Sequence, residues 1–101
     1  MSLPLEGLKV LAFEQYGAGP FGSQYLSDLG AEVIKIEPAG TDGDYLRALG
    51  PYFIDEEKNS ASSIFFQALN RNKKSITLNI LSEEGKEILG KLVKECDAVC
   101  N

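Results

Sequence analysis

The sequence contains no histidine and no tryptophan, and only two cysteines and one methionine. Without histidine, no Ser-His-Asp or Cys-His relay can form within these residues, so Ser23, Ser27 and Ser62 have no imidazole to activate them. The same absence, with Cys96 and Cys100 as the only thiols, leaves too few ligands for a zinc site, and no metal is expected. Cys96 and Cys100 read as two buried thiols of a reduced protein. No apolar run approaches the roughly 20 residues of a membrane span. The start, Met1-Ser2-Leu3-Pro4, lacks the basic residues and apolar stretch of a secretory signal. A cytoplasmic location without a membrane partner is the resulting expectation. Positive charge is also short, with ten Lys and Arg against fifteen Asp and Glu and a net charge of −5. That balance argues against general nucleic-acid binding, which needs a basic surface.

What is present is the alternation of an α/β protein. The 101 residues suffice for one small domain. Leu8 to Phe13 is a short apolar run read as a buried strand. A glycine loop follows, and Pro20 suits the first position of a helix. Phe21, Tyr25, Leu26 and Leu29 share one face of that helix, predicting that this face is buried. Gly30 suits the left-handed residue beyond its end. Glu32 to Glu37 reads as a second strand, stopped by Pro38. Residues 38–60, rich in Gly, Pro and acid, read as a long loop excursion. Ser60 to Leu69 predicts a short helix with Ile64, Phe65, Ala68 and Leu69 at helical spacing. Ser75 to Ile80 alternates as a third strand. Ser82 is a good N-cap for a helix whose stripe is Ile88, Leu89, Leu92 and Val93. Glu87 and Lys91 form an i,i+4 pair on its wet face. Asp97 to Cys100 begins a fourth strand. The pattern predicts an α/β fold: a Rossmann-like open parallel sheet with helices on both faces and right-handed crossovers. A parallel strand at a chain end expects a covering helix, so residues 1–101 read as the incomplete N-terminal part of a larger fold.

Gly17, Gly19 and Gly22 spell G-x-G-x-x-G between a strand and a helix, the place where a dinucleotide pyrophosphate can bind. Glu37, about twenty residues on, stands where a ribose-binding acid is expected. Against that reading, Glu14, Gln15 and Tyr16 lengthen the turn before the first glycine. Pro20 also removes an amide donor from the first helical turn. Two further readings stay open: glycines serving backbone angles alone, or a different ligand lying beyond the strand ends. Tyr16 and Phe21 flank the loop and serve either as core or as an apolar wall. Asn70 to Ser75 sets Arg71, Lys73 and Lys74 before the third strand, either as a solvated basic turn or as charge for an anionic ligand. Asp42, Asp44, Asp55, Glu56 and Glu57 lack the spacing of a calcium loop and read as a solvated acidic segment.

Three stretches together carry a resemblance: "LPLEGLKVLAF", "GAGPFGSQYLSDLGAEVIKIEP" and "LNRNKKSITLNILSEEGKEILGKLVKECDAV". In this order the chain resembles the start of the family III CoA-transferases, which include formyl-CoA transferase, the carnitine and bile-acid CoA-transferases and α-methylacyl-CoA racemase. The similarity covers nearly the whole chain, least over residues 38–60. It implies that the glycine loop lies against coenzyme A rather than a dinucleotide. Carried over residue by residue, it points to Gly17 and Ala18, and to Leu78, Asn79, Ile80 and Leu81 at the exit of the third strand. It implies coenzyme A or acyl-CoA and a carboxylic acid as substrates, and a homodimer as the assembly. The chemistry implied is attack of an aspartate on an acyl-CoA thioester, giving a mixed anhydride and free CoA thiolate. That aspartate is expected beyond Asn101, so no catalytic residue is expected here. The sequence departs from the family at Pro38 and Leu81, where basic residues are common. The alternatives are the racemase branch of the same family, and a non-catalytic dinucleotide-binding or remnant α/β module.

Overall fold

The computed structural model describes residues 2–55 and 62–101. Glu56, Glu57 and Ser60 of the readings above therefore lie outside the described residues. Four parallel strands form one sheet: β1 (Lys9–Ala12), β2 (Glu32–Pro38), β3 (Lys74–Leu78) and β4 (Ala98–Cys100), ordered β3-β2-β1-β4. β1 pairs with β2 from Lys9↔Glu32 to Ala12↔Lys35, and β2 pairs with β3 from Ile34↔Lys74 to Pro38↔Leu78. Helices α1 (Ala18–Asp28), α2 (Ile64–Asn70) and α3 (Glu83–Glu95) connect successive strands. Two steps run in one direction from β1 and the third returns to its far side. Right-handed crossovers then put α1 and α2 over one face and α3 over the other. The expected parallel α/β architecture is what the chain adopts.

Central strands are apolar because both their faces are covered. Leu11, Ala12 and Val33 are fully buried, and Val10, Ala12, Ala31 and Val33 form a cluster with Leu5, Leu26 and Cys100 packed against it. The two thiols are free and only half-buried, so the expectation of buried cysteines is corrected. Their position on and beside the edge strand β4 explains the partial cover.

Three helix faces depart from their apolar pattern. On α1 the buried residues are Pro20, Ser23, Gln24 and Ser27, whereas Phe21, Tyr25 and Leu29 are exposed. The period is helical, but the inward stripe is polar. Its reason is its partner, the backbone of the α2–β3 connection. Gln24 Nε2 and Ser27 Oγ both donate to the Arg71 carbonyl, at 3.1 and 3.2 Å, and Lys73 Nζ donates to the Pro20 carbonyl at 3.0 Å. Pro20 is the third residue of α1 rather than its first, still inside the turn whose amides lack helical partners. On α2 the buried residues are Phe66 and Asn70, whereas Ile64 and Phe65 are exposed. On α3, Ile88 and Val93 of the expected stripe are exposed, and Leu89 and Leu92 are half-buried.

Terminal signals in the sequence hold up. Ser82 caps α3 by accepting from the Gly85 amide at 3.0 Å, and Gly30 follows α1 with φ +105°. Glu87 and Lys91 pair at 3.9 Å. Gly85 is buried against the turn after β3. A Cβ there would overlap the Asn79 carbonyl, whose carbon lies 2.7 Å from the ideal Cβ position. Gly→Ala inside a helix ordinarily stabilises by up to about 1 kcal/mol. Gly85→Ala is expected to do the reverse, lowering the unfolding free energy by about 2 kcal/mol through overpacking. Urea denaturation of the two chains measures the sign.

Candidate functional site

The carboxyl ends of β1, β2 and β3 open onto a cleft of about 230 Å³. Phe13 and Gln15 reach it from the end of β1, Ile36, Pro38 and Ala39 from β2, and Leu78 to Leu81 from β3. Ligands of open parallel sheets bind at this end because the loops there diverge. The lining is apolar apart from Gln15, Asn79 and Glu37, and among the described residues no Lys or Arg takes part. Asn79 builds the turn that follows β3: its Oδ1 accepts from the Leu81 amide at 3.1 Å and its carbonyl accepts from Ser82 Oγ at 2.9 Å. Leu81 is left projecting and strongly exposed.

Beneath the cleft lies a set of buried charges. Alternation along β2 puts Val33, Lys35 and Glu37 on one side of the sheet. Lys35 is 1% exposed and Asp44 is 0% exposed, and they pair at 2.8 Å. Asp44 follows the loop after β2 and caps a short 3-10 turn, Tyr45–Ala48, through its Oδ1. A solvated role for Asp44 is thereby corrected, because Lys35 draws it into the interior. Glu37 accepts from Arg47 at 2.7 and 2.6 Å in a bidentate pair, from the Asp44 amide at 2.8 Å, and from Ser75 Oγ. Burial alone would raise the Glu37 pKa. The donors from Arg47, Asp44 and Ser75 outweigh it and hold the carboxyl down at about 2. Glu37 therefore has no free edge for a ribose, and the acid that a dinucleotide clamp requires is already occupied.

Lys73 is likewise enclosed. Its amine donates to Pro20 O and to Asn70 Oδ1, each at 3.0 Å, and faces Glu14 at 3.9 Å. Burial pushes its pKa down to about 8, opposed by Glu14. Arg71 pairs with Asp28 and Lys74 with Glu32, both at 2.6 Å. The basic segment Arg71–Lys74 is thus spent on joining α1, β2 and β3.

The structure puts Leu78, Asn79, Ile80 and Leu81 together in the cleft wall. Gly17 and Ala18 stand apart from that wall, as the N-cap and first residue of α1. Gly17 and Gly22 have open space where a side chain would project, but a Cβ on Gly19 would lie 2.5 Å from Glu14 Cβ. Gly19 therefore makes room for Glu14, which also accepts from Ser23 Oγ. Phe13, Gln15 and Ala39 were not singled out as site residues, and Pro38 was named only as a departure from the family. The same strand-exit argument applied to β1 and β2 would have found them. Among the described residues, no group of three or more Cys, Asp or Glu is placed to hold a metal ion, and no helix is long and apolar enough to cross a membrane.

A parallel α/β sheet with a largely apolar cleft at its strand exits defines an open α/β module. The chain belongs to the CoA-transferase family III, whose model matches residues 5–101. It is 46% identical over 94 residues to the succinyl-CoA:glutarate CoA-transferase of Homo sapiens, covering 93% of this chain and 20% of that protein. Against the formyl-CoA:oxalate CoA-transferase of Escherichia coli it is 43% identical over 97 residues, covering 96% and 22%. Among solved structures, a CAIB/BAIF family protein from Brucella suis matches with a TM-score of 0.85 and 46% identity, over 98% of this chain and 25% of that one. The chain spans about a fifth to a quarter of the length of these relatives.

Glu37 supplies a pH test. Its folded pKa of about 2 lies below the ordinary 4.5, so its stabilisation is complete above pH 4.5 and is lost as pH falls toward 2. Glu37→Gln should lower stability at pH 6 and flatten the dependence of unfolding free energy on pH between 4.5 and 2. Urea melts across that range would show it; an unchanged slope would mean that Glu37 titrates normally in the folded chain.

Proposed function

We propose that this chain forms part of the coenzyme A pocket of a CoA-transferase, one that moves CoA from an acyl-CoA donor to a carboxylic acid acceptor. The observation that carries the reading is the cleft walled by Leu78, Asn79, Ile80 and Leu81 at the exit of β3, in a chain that belongs to CoA-transferase family III. A largely apolar lining with two carboxamides, Gln15 and Asn79, and one carboxylate, Glu37, already paired with Arg47, suits an uncharged part of CoA, either the amide-bearing pantetheine arm or the adenine. Pro38 and Leu81 stand where a cation would meet a phosphate, so the phosphates are not bound by this wall.

The chemistry proposed for the whole enzyme is covalent. A carboxylate attacks the thioester carbonyl, the C–S bond breaks, and CoA leaves as thiolate while an aspartyl anhydride forms. Amides at Gly17 and Ala18, in the first turn of α1, are suited to stabilise the developing oxyanion. The nucleophile is not among these residues, so the chain binds and does not turn over. The exposed apolar residues Phe21 and Tyr25 of α1 and Val99 of β4 are the surfaces offered for pairing in a homodimer. A cytoplasmic setting agrees with the free thiols Cys96 and Cys100.

Calorimetric titration with CoA, acetyl-CoA and NAD tests the reading. Saturable binding of CoA and acetyl-CoA is expected, changing little with added salt because no Lys or Arg among the described residues lines the cleft. NAD should bind weakly or not at all. Ala39→Glu, which places a charge in the wall, should weaken CoA binding at least about tenfold, the cost of desolvating it. Binding of NAD in preference to CoA would replace the proposal with a dinucleotide module. CoA-transferase turnover by the 101-residue chain alone would contradict the absence of a nucleophile.

A further inference from the structure

Resting on the coenzyme A reading, we propose that the buried Lys35–Asp44 pair is a positioning device that clamps the turn Glu14-Gln15-Tyr16, so that Gln15 stands in the cleft wall before ligand arrives. The pair ends on both sides of that turn. Lys35 Nζ donates to the Glu14 carbonyl at 2.9 Å, and Asp44 Oδ1 accepts from the Tyr16 amide at 3.3 Å. Gln15, between the two held residues, lines the cleft. Asp44 Oδ2 meets Lys35 Nζ at 2.8 Å as an ion pair and, among the described residues, has no other hydrogen-bond partner.

The held turn is not one the backbone takes freely. Tyr16 has φ +70°, a left-handed conformation disfavoured for a residue of its bulk. Asp44 holds it by the amide, and the next residue, Tyr45, stacks its ring on that of Tyr16 at 5.5 Å. The Phe66 ring lies 5.7 Å from Lys35 Nζ and 4.1 Å from the Arg47 guanidinium, shielding the pair from water on that side. A buried ion pair is a poor source of net stability, and an apolar pair of the same size would serve a core as well. Two charges that terminate on the backbone of one three-residue turn serve geometry instead. Neither residue touches the ligand: both act through Gln15 and Tyr16.

Amide hydrogen exchange read by NMR tests the clamp without any ligand. In the unmodified chain the Tyr16 amide should be protected although the residue itself is exposed. In Asp44→Asn it should exchange at least about tenfold faster beyond any change shared with β1 and β2, and the Kd for CoA should rise by about tenfold. Adding Tyr16→Gly to Asp44→Asn should restore most of the CoA affinity, because glycine adopts a positive φ without a holding contact, while the lost stability stays lost. Acceleration equal across all amides, or no recovery by Tyr16→Gly, would mean that the pair merely supports the core. If Asp44→Asn does not fold, the unmodified chain still decides: a Tyr16 amide exchanging like an open loop overturns the proposal. Failure of the unmodified chain to bind CoA overturns the pocket reading and leaves the clamp to stand on the exchange rates.

Discussion

One lysine in the middle of a parallel strand governs this structure. Lys35 occupies an inward position of β2 where the pattern of such sheets asks for an aliphatic residue, and its charge must be met there. Asp44 meets it from the loop after the same strand, with the Glu14 carbonyl as second partner. Removing one member of such a pair costs about 3–5 kcal/mol, a large part of the roughly 5–15 kcal/mol available to a domain. The pair therefore dictates where the chain goes after β1 and after β2. Glu37 and Arg47 repeat the arrangement one step along the strand. Together the two pairs lay the 3-10 turn Tyr45–Ala48 against the sheet, where Leu46 is fully buried.

The cleft follows from this lower layer. With the charges satisfied beneath, the strand exits present apolar and amide groups above, and the loops of β1, β2 and β3 diverge around them. Glycine contributes less than the G-x-G-x-x-G pattern suggests. Gly19 makes room for Glu14, and Glu37 is held by Arg47 and Ser75. The motif resembles a dinucleotide fingerprint in spacing while its acidic member serves the core.

Much of the architecture was legible in the residues. Strand order along the chain, the cap at Ser82, the left-handed Gly30 and the parallel α/β class all follow from local rules. The faces of the helices did not. Periodicity tells which residues share a face, not which face turns inward. On α1 the inward stripe is Pro20, Ser23, Gln24 and Ser27, because its partner is the Arg71 carbonyl, 47 residues from Gln24. Glu14, Lys35, Asp44 and Lys73 each look solvated in sequence. Pairing across 21 residues (Lys35 to the Glu14 carbonyl), 28 (Tyr16 to Asp44) and 53 (Lys73 to the Pro20 carbonyl) accounts for their burial. For the site, Leu78 to Leu81 and the departure at Pro38 came from family resemblance, whereas Phe13, Gln15 and Ala39 came from coordinates. Those three carry no motif, only a position at the end of a strand.

The central claim, that buried ion pairs build a largely apolar cleft for coenzyme A at these strand exits, is tested most directly by mapping amide chemical-shift changes of the chain as CoA is added. The account predicts saturable shifts concentrated at Phe13, Gln15, Ala39 and Leu78 to Leu81, with β4 and α3 unmoved. Shifts confined to α3 or the exposed face of α1, or none at saturating CoA, would contradict it.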